Sequence, residues 1–291
     1  MEKHLKIDLH CHTTFSPSPT FKNYFASDAV TKPEIAYSTL KAKGMELVTF
    51  TDHDTIDGCL YLLNKYPDLK DFFISEEVTS YIKEAEAKVH IGVYHLNEKQ
   101  HKEIQKQRMD CLSLVNYLRK ENLPFVLFHP ASFSIKRKNL KNFWEFALEN
   151  FNYWEIWNGS LPKSHSILVY SILKNVKRKP LLVSGSDAHN PFRLASSYTF
   201  LELPFSPIGF YGKGLKLPSQ IFDVYFSIFS YIKFSLSKEL ILKNPKIFPF
   251  LLFFGIPMTF AGLPLFLILC NRIILRKIYF QSKGVINGIK P

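Results

Sequence analysis

Asp8-Leu9-His10-Cys11-His12 sets three side chains that can bind metal or move protons at alternating positions. The residues before them, Leu5, Lys6 and Ile7, suit the start of a strand, where successive side chains point to opposite faces. Asp8, His10 and His12 are therefore expected on one face, with Leu9 and Cys11 on the other. Two imidazoles two residues apart on one face make a ready bidentate site for a transition-metal ion.

Five further clusters carry related chemistry. Thr51-Asp52-His53, with Asp54 and Asp57 behind it, follows an apolar run. Glu76-Glu77, His90, His129-Pro130 and Gly185-Ser186-Asp187-Ala188-His189 follow or interrupt others. Each alone has a plain structural reading, as a hydrogen-bonded histidine, a solvated turn or a helix cap. Their recurrence along the chain argues for one shared site. A mixed histidine and carboxylate shell suits hard and borderline divalent ions, and Cys11 faces away from it. Glu77 is the natural bridge, because one carboxylate can span two ions. Paired ions clamp the attacking and leaving oxygens of phosphoryl transfer and bring the pKa of a bound water near neutrality. Hydrolysis of a phosphate mono- or diester is the expected reaction.

Apolar runs that read as strands lie at 5–9, 46–50, 72–75, 88–94, 125–128, 153–157, 180–184 and 198–203. Helical patterns fall between them. Pro33 opens one as a first-turn residue and Gly44 closes it. A long helix is expected over 98–121, with others over 141–149 and 164–175. Strand–helix alternation implies a parallel α/β architecture. Polar residues after many strands favour a distorted barrel over a doubly wound sheet, since barrel sites gather residues from many strand ends.

The charge is unevenly spread. Residues 216–291 hold 10 Lys and Arg against 2 Asp and Glu, so they carry +8 of the net +12. The nearly balanced remainder argues against a nucleic-acid groove running over the whole protein. Pro and Gly mark a connector at 204–218. Within the tail at 219–291, residues 247–271 carry no charged side chain and are flanked by Lys243, Lys246, Arg272, Arg276 and Lys277. That run is long enough to cross a bilayer, and its flanks suit anionic headgroups. Pro249, Pro257, Pro264, Gly255 and Gly262 interrupt it, so a re-entrant hairpin or a buried oligomer contact competes with a span. The first residues lead straight into a strand with no secretory pattern. The expected location is cytoplasmic, attached at the inner face of the cell membrane if the tail engages it. The four cysteines, Cys11, Cys59, Cys111 and Cys270, are scattered, with no disulfide framework or zinc-finger spacing.

These motifs, taken in order, resemble the polymerase-and-histidinol-phosphatase (PHP) superfamily of metal-dependent phosphoesterases. The matching residues are Asp8-x-His10-x-His12, Thr51-Asp52-His53, His129-Pro130 and Ser186-Asp187-Ala188-His189, with Glu77, His90 and a Glu155-x-x-Asn158 strand. The resemblance covers roughly residues 5–200 and implies a distorted (β/α)7 TIM-like barrel, domain 1–203, binding two or three Mn, Zn or Fe ions. It implies a first ion on His10, His12, Glu77 and Asp187, and a second on Glu77, His90 and His129. It gives His53 and His189 to a third, and makes Asp8 and Asp52 residues that orient ligands or handle protons. Where many members place another ligand soon after the second histidine, the loop 13–19 has none. The third shell is then incomplete, or closed by Asp28 from an unusually long loop. The run 47–58 and residues 75–79 resemble a stand-alone bacterial subgroup often found associated with glycosyltransferases.

Arg193, four residues past His189, is expected either to meet a substrate phosphate or to be an exposed loop charge. The expected substrate is a small phosphorylated molecule, with an envelope-sugar or lipid-linked phosphate as the membrane variant. A nuclease or nucleotide phosphatase with the same metal chemistry is the alternative, and a membrane-anchored scaffold a third.

Overall fold

The computed structural model describes residues 5–17, 27–132, 135–202 and 206–211. The connector outside 206–211, and the tail at 219–291 with its membrane expectation, lie outside the described residues. Among the described residues no helix is long and apolar enough to cross a membrane.

Among the described residues, eight strands and six α-helices follow in order: β1 Leu5–Ile7, α1 Pro33–Ala42, α2 Asp57–Lys65, β2 Ser75–Ile82, β3 Ala87–Tyr94, α3 Glu98–Gln107, α4 Cys111–Lys120, β4 Phe125–Leu127, α5 Leu140–Asn150, β5 Tyr153–Asn158, α6 Lys163–Leu173, β6 Leu181–Gly185, β7 Tyr198–Glu202 and β8 Ser206–Tyr211. They form two sheets, ordered β2-β3-β4-β5-β6 and β1-β7-β8, not a closed barrel. The mixed α/β class is as expected; closure and all-parallel pairing are not. The β2–β3 pair is antiparallel because only a short 3-10 turn, Lys83–Ala85, separates the strands, too little chain for a parallel crossover. The pairs β3–β4, β1–β7 and β7–β8 are antiparallel too, while β4–β5 and β5–β6 are parallel. Residues 206–211, inside the expected connector, are strand β8.

The segments 8–12 and 46–53 run between the sheets without forming ladders. They touch their neighbours through single parallel bridges, Cys11 to Ala188, Val48 to Phe72 and His53 to Glu77. Side chains supplement the backbone bonds there: Cys11 N donates to Thr51 Oγ1 (3.1 Å), and Thr49 Oγ1 donates to Phe73 O (2.8 Å). The runs expected as strands at 46–50 and 72–74 are irregular, joined by isolated backbone bonds such as Val48 N to Asp71 O (2.8 Å) and Phe73 N to Val48 O (3.3 Å).

The helix expected over 98–121 is two. Asp110 caps α4 by accepting from the amides of Leu112 and Ser113, and Asn97 with Gln100 forms a capping box on α3. Arg108, between the two helices, pairs with Asp54 (Nη1–Oδ2 3.0 Å). Pro33 does open α1, and Gly44 ends it at φ +84°, a conformation glycine adopts without strain.

The largest apolar cluster packs Ile104, Leu114, Val115, Phe143 and Ala147 from the helices onto Val78, Ile91, Val93 and Trp154 of the five-stranded sheet. A smaller one, Ile7, Leu9, Tyr94, Val126, Phe128, Val183 and Leu201, joins the two sheets. Each such side chain, fully buried, stabilises by roughly 1.5–3 kcal/mol. The joining cluster is the floor of the site.

Candidate metal centre

Three chain segments converge above that floor. The backbone of 10–12 is held by Asp187 N to His10 O (2.6 Å), His12 N to Ala188 O (3.0 Å) and Thr51 N to Cys11 O (2.8 Å). Those bonds bring the first, second and last histidine-bearing segments side by side. Glu77 lies third in β2, opposite Gly92, and His90 lies opposite Thr79. Neither sits at a strand's C-terminal end, so the strand-end rule does not describe them.

Glu77 is the centre. Its Oε2 lies 3.2 Å from Nε2 of both His10 and His12 and 3.2 Å from His53 Nδ1. Its Oε1 lies 2.8 Å from His90 Nδ1 and 3.3 Å from His129 Nε2. Asp187 Oδ1 adds contacts of 3.4 Å to His10 Nε2 and 3.3 Å to His12 Nε2. Ligands about 2.0–2.2 Å from a tetrahedral ion stand about 3.3–3.6 Å from each other, close to this spacing. Among these contacts, His12 Nε2, His53 Nδ1 and Glu77 Oε1 are buried without a hydrogen-bond partner. Nitrogen and carboxylate lone pairs that face one another, dry and unbonded, fit a divalent cation.

A third group gathers His12, Asp28, His53 and His189. Asp28 Oδ2 lies 3.3 Å from His53 Nε2 and 3.5 Å from His189 Nε2. Of the two outcomes open for the third shell, the structure presents Asp28. His53 faces two groups at once, through Nδ1 to Glu77 and Nε2 to Asp28.

The electrostatics follow from this crowding. Burial pushes the Glu77 carboxyl up, but the His53, His10 and His90 imidazoles outweigh it and hold the group well below the usual carboxylate range. Asp187 is held down likewise by His10, His12 and His189. Against burial, Asp187 and Glu77 raise His12 to about 10, and Asp187, Glu155 and Glu77 raise His10. The carboxylates demand positive charge at these ring nitrogens, and protons and divalent cations compete for the same lone pairs.

Residues around the ligands fix their orientation. His10 Nδ1 meets Glu155 Oε1 at 3.0 Å, His12 Nδ1 meets Ser16 Oγ at 3.2 Å, and His129 Nδ1 meets Ser132 Oγ at 2.8 Å. Such partners set the tautomer and ring direction of a ligating histidine. Two positions of the cluster have left-handed backbone, His129 at φ +27° and Asp187 at φ +50°. Non-glycine residues held there cost of order 1–3 kcal/mol each and cluster at functional sites.

Asp8 and Asp52 do not join the ligand cluster. Asp8, expected to share the face of His10 and His12, instead accepts from the amides of Ser186 and Ala195, both 2.8 Å. The segment leaves β1 after Ile7, so strand alternation no longer sets its side chains. Asp8 is a brace for the 186–195 loop, with burial pushing its carboxyl to about 6. Asp52 accepts from Thr13 N (2.6 Å) and Thr13 Oγ1 (2.7 Å), clamping the loop after His12. Arg193 lies in the turn 190–196, where its amide donates to Asn190 O (3.2 Å). Asn158, already marked by the Glu155-x-x-Asn158 strand, shapes the site with Thr13, Ser16 and Ser132; the three hydroxyls carry no spacing signature, so the sequence does not flag their roles.

No family model matches the chain. Over 54 residues it is 41% identical to an uncharacterized protein of Methanocaldococcus jannaschii, 19% of this chain and 32% of that one. The match thus spans about a third of that relative's length. The structure is similar to PsfC from Pseudomonas syringae, with a TM-score of 0.50 at 14% identity, over 79% of this chain and 98% of that one. At that identity the likeness is one of fold. Weaker likenesses are to a protein assigned as a metal-dependent phosphoesterase from Bifidobacterium adolescentis (TM-score 0.44, 12% identity, 73% of this chain and 98% of that one) and an amidohydrolase from Chromobacterium violaceum (TM-score 0.43, 14% identity, 64% and 88%).

Proposed function

We propose that the chain is a metal-dependent phosphoesterase of the PHP type, with a polynuclear centre built around Glu77. The observation that carries this reading is the two-sided Glu77 carboxylate, with Oε2 toward His10 and His12 and Oε1 toward His90 and His129. A carboxylate that faces ring nitrogens on both sides would suit a pair of ions sharing it. His10, His12, Glu77 and Asp187 would hold the first ion and Glu77, His90 and His129 the second, with Asp28, His53 and His189 as the third shell. Divalent Mn, Zn or Fe there would supply a water acidified to near neutrality and positive charge on the phosphoryl oxygens.

The chain's own residues do the rest. Glu155, Ser16 and Ser132 fix the three ligand rings. Asn158 Nδ2 donates to Asp187 Oδ2 (3.0 Å), which turns Oδ1 to the histidines. The His10 ring, fully buried, keeps bulk water from the floor side. Arg193 is the proposed contact for a substrate phosphate. The apolar run at 247–271 motivates a substrate at the inner face of the cell membrane, an envelope-sugar or lipid-linked phosphate ester.

The test is the purified full chain, chelator-treated, reloaded separately with Mn²⁺, Zn²⁺ and Fe²⁺, and offered a panel of phosphate mono- and diesters with oligonucleotides included. Turnover of at least one small phosphoester, lost in His10→Ala, is the expected result. Turnover of oligonucleotides alone would select the nuclease reading. No turnover by any reloaded form would overturn the proposal. Co-sedimentation of the full chain with anionic vesicles tests the membrane placement.

A further inference from the structure

One buried carboxylate that holds none of the expected ions reaches ligands of two of them. Glu155, third in β5 (Tyr153–Asn158), is fully buried. Its Oε1 contacts His10 Nδ1 at 3.0 Å. Its Oε2 accepts from His129 N at 3.0 Å and from Asn158 Nδ2 at 3.1 Å. Asn158 Nδ2 donates also to Asp187 Oδ2 at 3.0 Å. Glu155 therefore fixes the His10 ring directly and the Asp187 carboxylate through Asn158. It also pins the amide of His129, proposed to hold the second ion, whose backbone sits at φ +27°. The room for this arrangement is made by Gly185, where a Cβ would stand 2.4 Å from His10 Cβ and 3.1 Å from Glu155 Oε1.

We propose that Glu155 is a positioning residue that couples the two ion sites, so that loading of one organises the other. The proposal rests on the phosphoesterase reading only in requiring that the chain binds two ions. Its logic is geometric. Once His10 is drawn to an ion, Glu155 is fixed through Nδ1, and the same carboxylate then holds the His129 loop in its left-handed turn. A strained loop held in place needs less reordering when the second ion arrives. Partners of this kind change metal affinity by about 10–100-fold when removed.

The experiment is Co²⁺ titration of the metal-depleted full chain, followed by d–d absorption and by competition with a chelator of known affinity. In the wild type the two ions should enter together, with no singly loaded species accumulating. Glu155→Gln, which keeps the side chain's size, should weaken both ions by about 10–100-fold and separate the two steps. Ser132→Ala, which removes the partner of the His129 ring and the hydroxyl bond to His129 O, should weaken chiefly the ion that His129 holds. Asn158→Ala should weaken chiefly the ion that Asp187 holds. Denaturant midpoints of the metal-free proteins check that each variant folds. Two ions that fill independently in the wild type, or a folded Glu155→Gln that loses affinity at one site alone, would overturn the coupling while leaving the metal centre standing. A wild type that binds no Co²⁺ would overturn both.

Discussion

The imidazole of His10 lies flat on the ring of Phe128, with centroids 3.7 Å apart and planes within 10°. The contact depends on a third residue. A Cβ at Gly92 would stand 2.3 Å from Phe128 Cζ and 2.6 Å from Tyr94 Oη, and Tyr94 Oη donates to Leu9 O (2.8 Å), one residue before His10. Gly92 thus makes room for the floor on which the first histidine rests. Gly92→Ala is expected to destabilise the fold by about 1–3 kcal/mol, the usual scale of overpacking. It should also weaken metal binding, because Phe128 must leave the His10 face. Urea unfolding with and without added metal measures both; an unchanged midpoint in both conditions would contradict the packing argument.

Asp28 closes the third ligand group. Burial alone would raise its carboxyl, but His189, His53 and His12 hold it well below the usual range. Asp28→Asn keeps the shape and removes the charge. The expected outcome is one bound ion fewer per chain by elemental analysis, with the other ions retained. A variant with the wild-type metal content would show that Asp28 holds no ion.

His165 tests the acid side of stability. It is buried behind the His129 loop, where Ala131 N donates to its Nε2 (3.4 Å), and burial pushes its pKa down to about 3. Its folded pKa lies below the ordinary value of 6.5, so below pH 6.5 the unfolded chain binds the proton that the folded chain refuses. The stability His165 contributes is present above pH 6.5 and is lost as pH falls toward 3. Each pH unit in that window costs up to about 1.4 kcal/mol for one such group. Unfolding free energies of wild type and His165→Asn at pH 7.5 and 5, both in chelator, should converge as pH falls. Parallel pH dependence in the two proteins would sink the assignment.

The thiols give a test independent of metal. Cys11, Cys59 and Cys111 are buried, and burial pushes the Cys59 and Cys111 thiols to about 12 and Cys11 well above its ordinary value. Thiolate is the reactive form. All three should resist alkylation at pH 8 until denaturant is added, as read by peptide mass mapping. Rapid labelling of any one in the native protein would contradict the packing around it.

The candidate site was more legible in the sequence than the fold was. His10, His12, Glu77, His90, His129 and Asp187 do come together, and their residue types mark them whatever backbone carries them. Asp8 shows where that reasoning ends: alternation placed it with His10, but β1 stops at Ile7 and the carboxylate turns to the Ser186 and Ala195 amides. The fold departs from expectation along 46–53, where isolated bridges and the Thr49 and Thr51 hydroxyls stand in place of a continuous ladder. The split between α3 and α4 turns on Asp110, an N-cap placed inside a continuous helical pattern. Glu76 read as half of a solvated turn, yet it is fully buried against His101 (3.0 Å) and Gln105 (2.9 Å).

The central claim is that Glu77 is shared between ions. Metal content per chain in wild type, His90→Ala and Glu77→Gln, each reloaded with Mn²⁺ and stripped of loose metal, tests it most directly. The account predicts at least two ions in the wild type, one fewer in His90→Ala, and loss of both Glu77-linked ions in Glu77→Gln. A wild type with no bound metal, or a Glu77→Gln chain that loses no more than His90→Ala does, would contradict it.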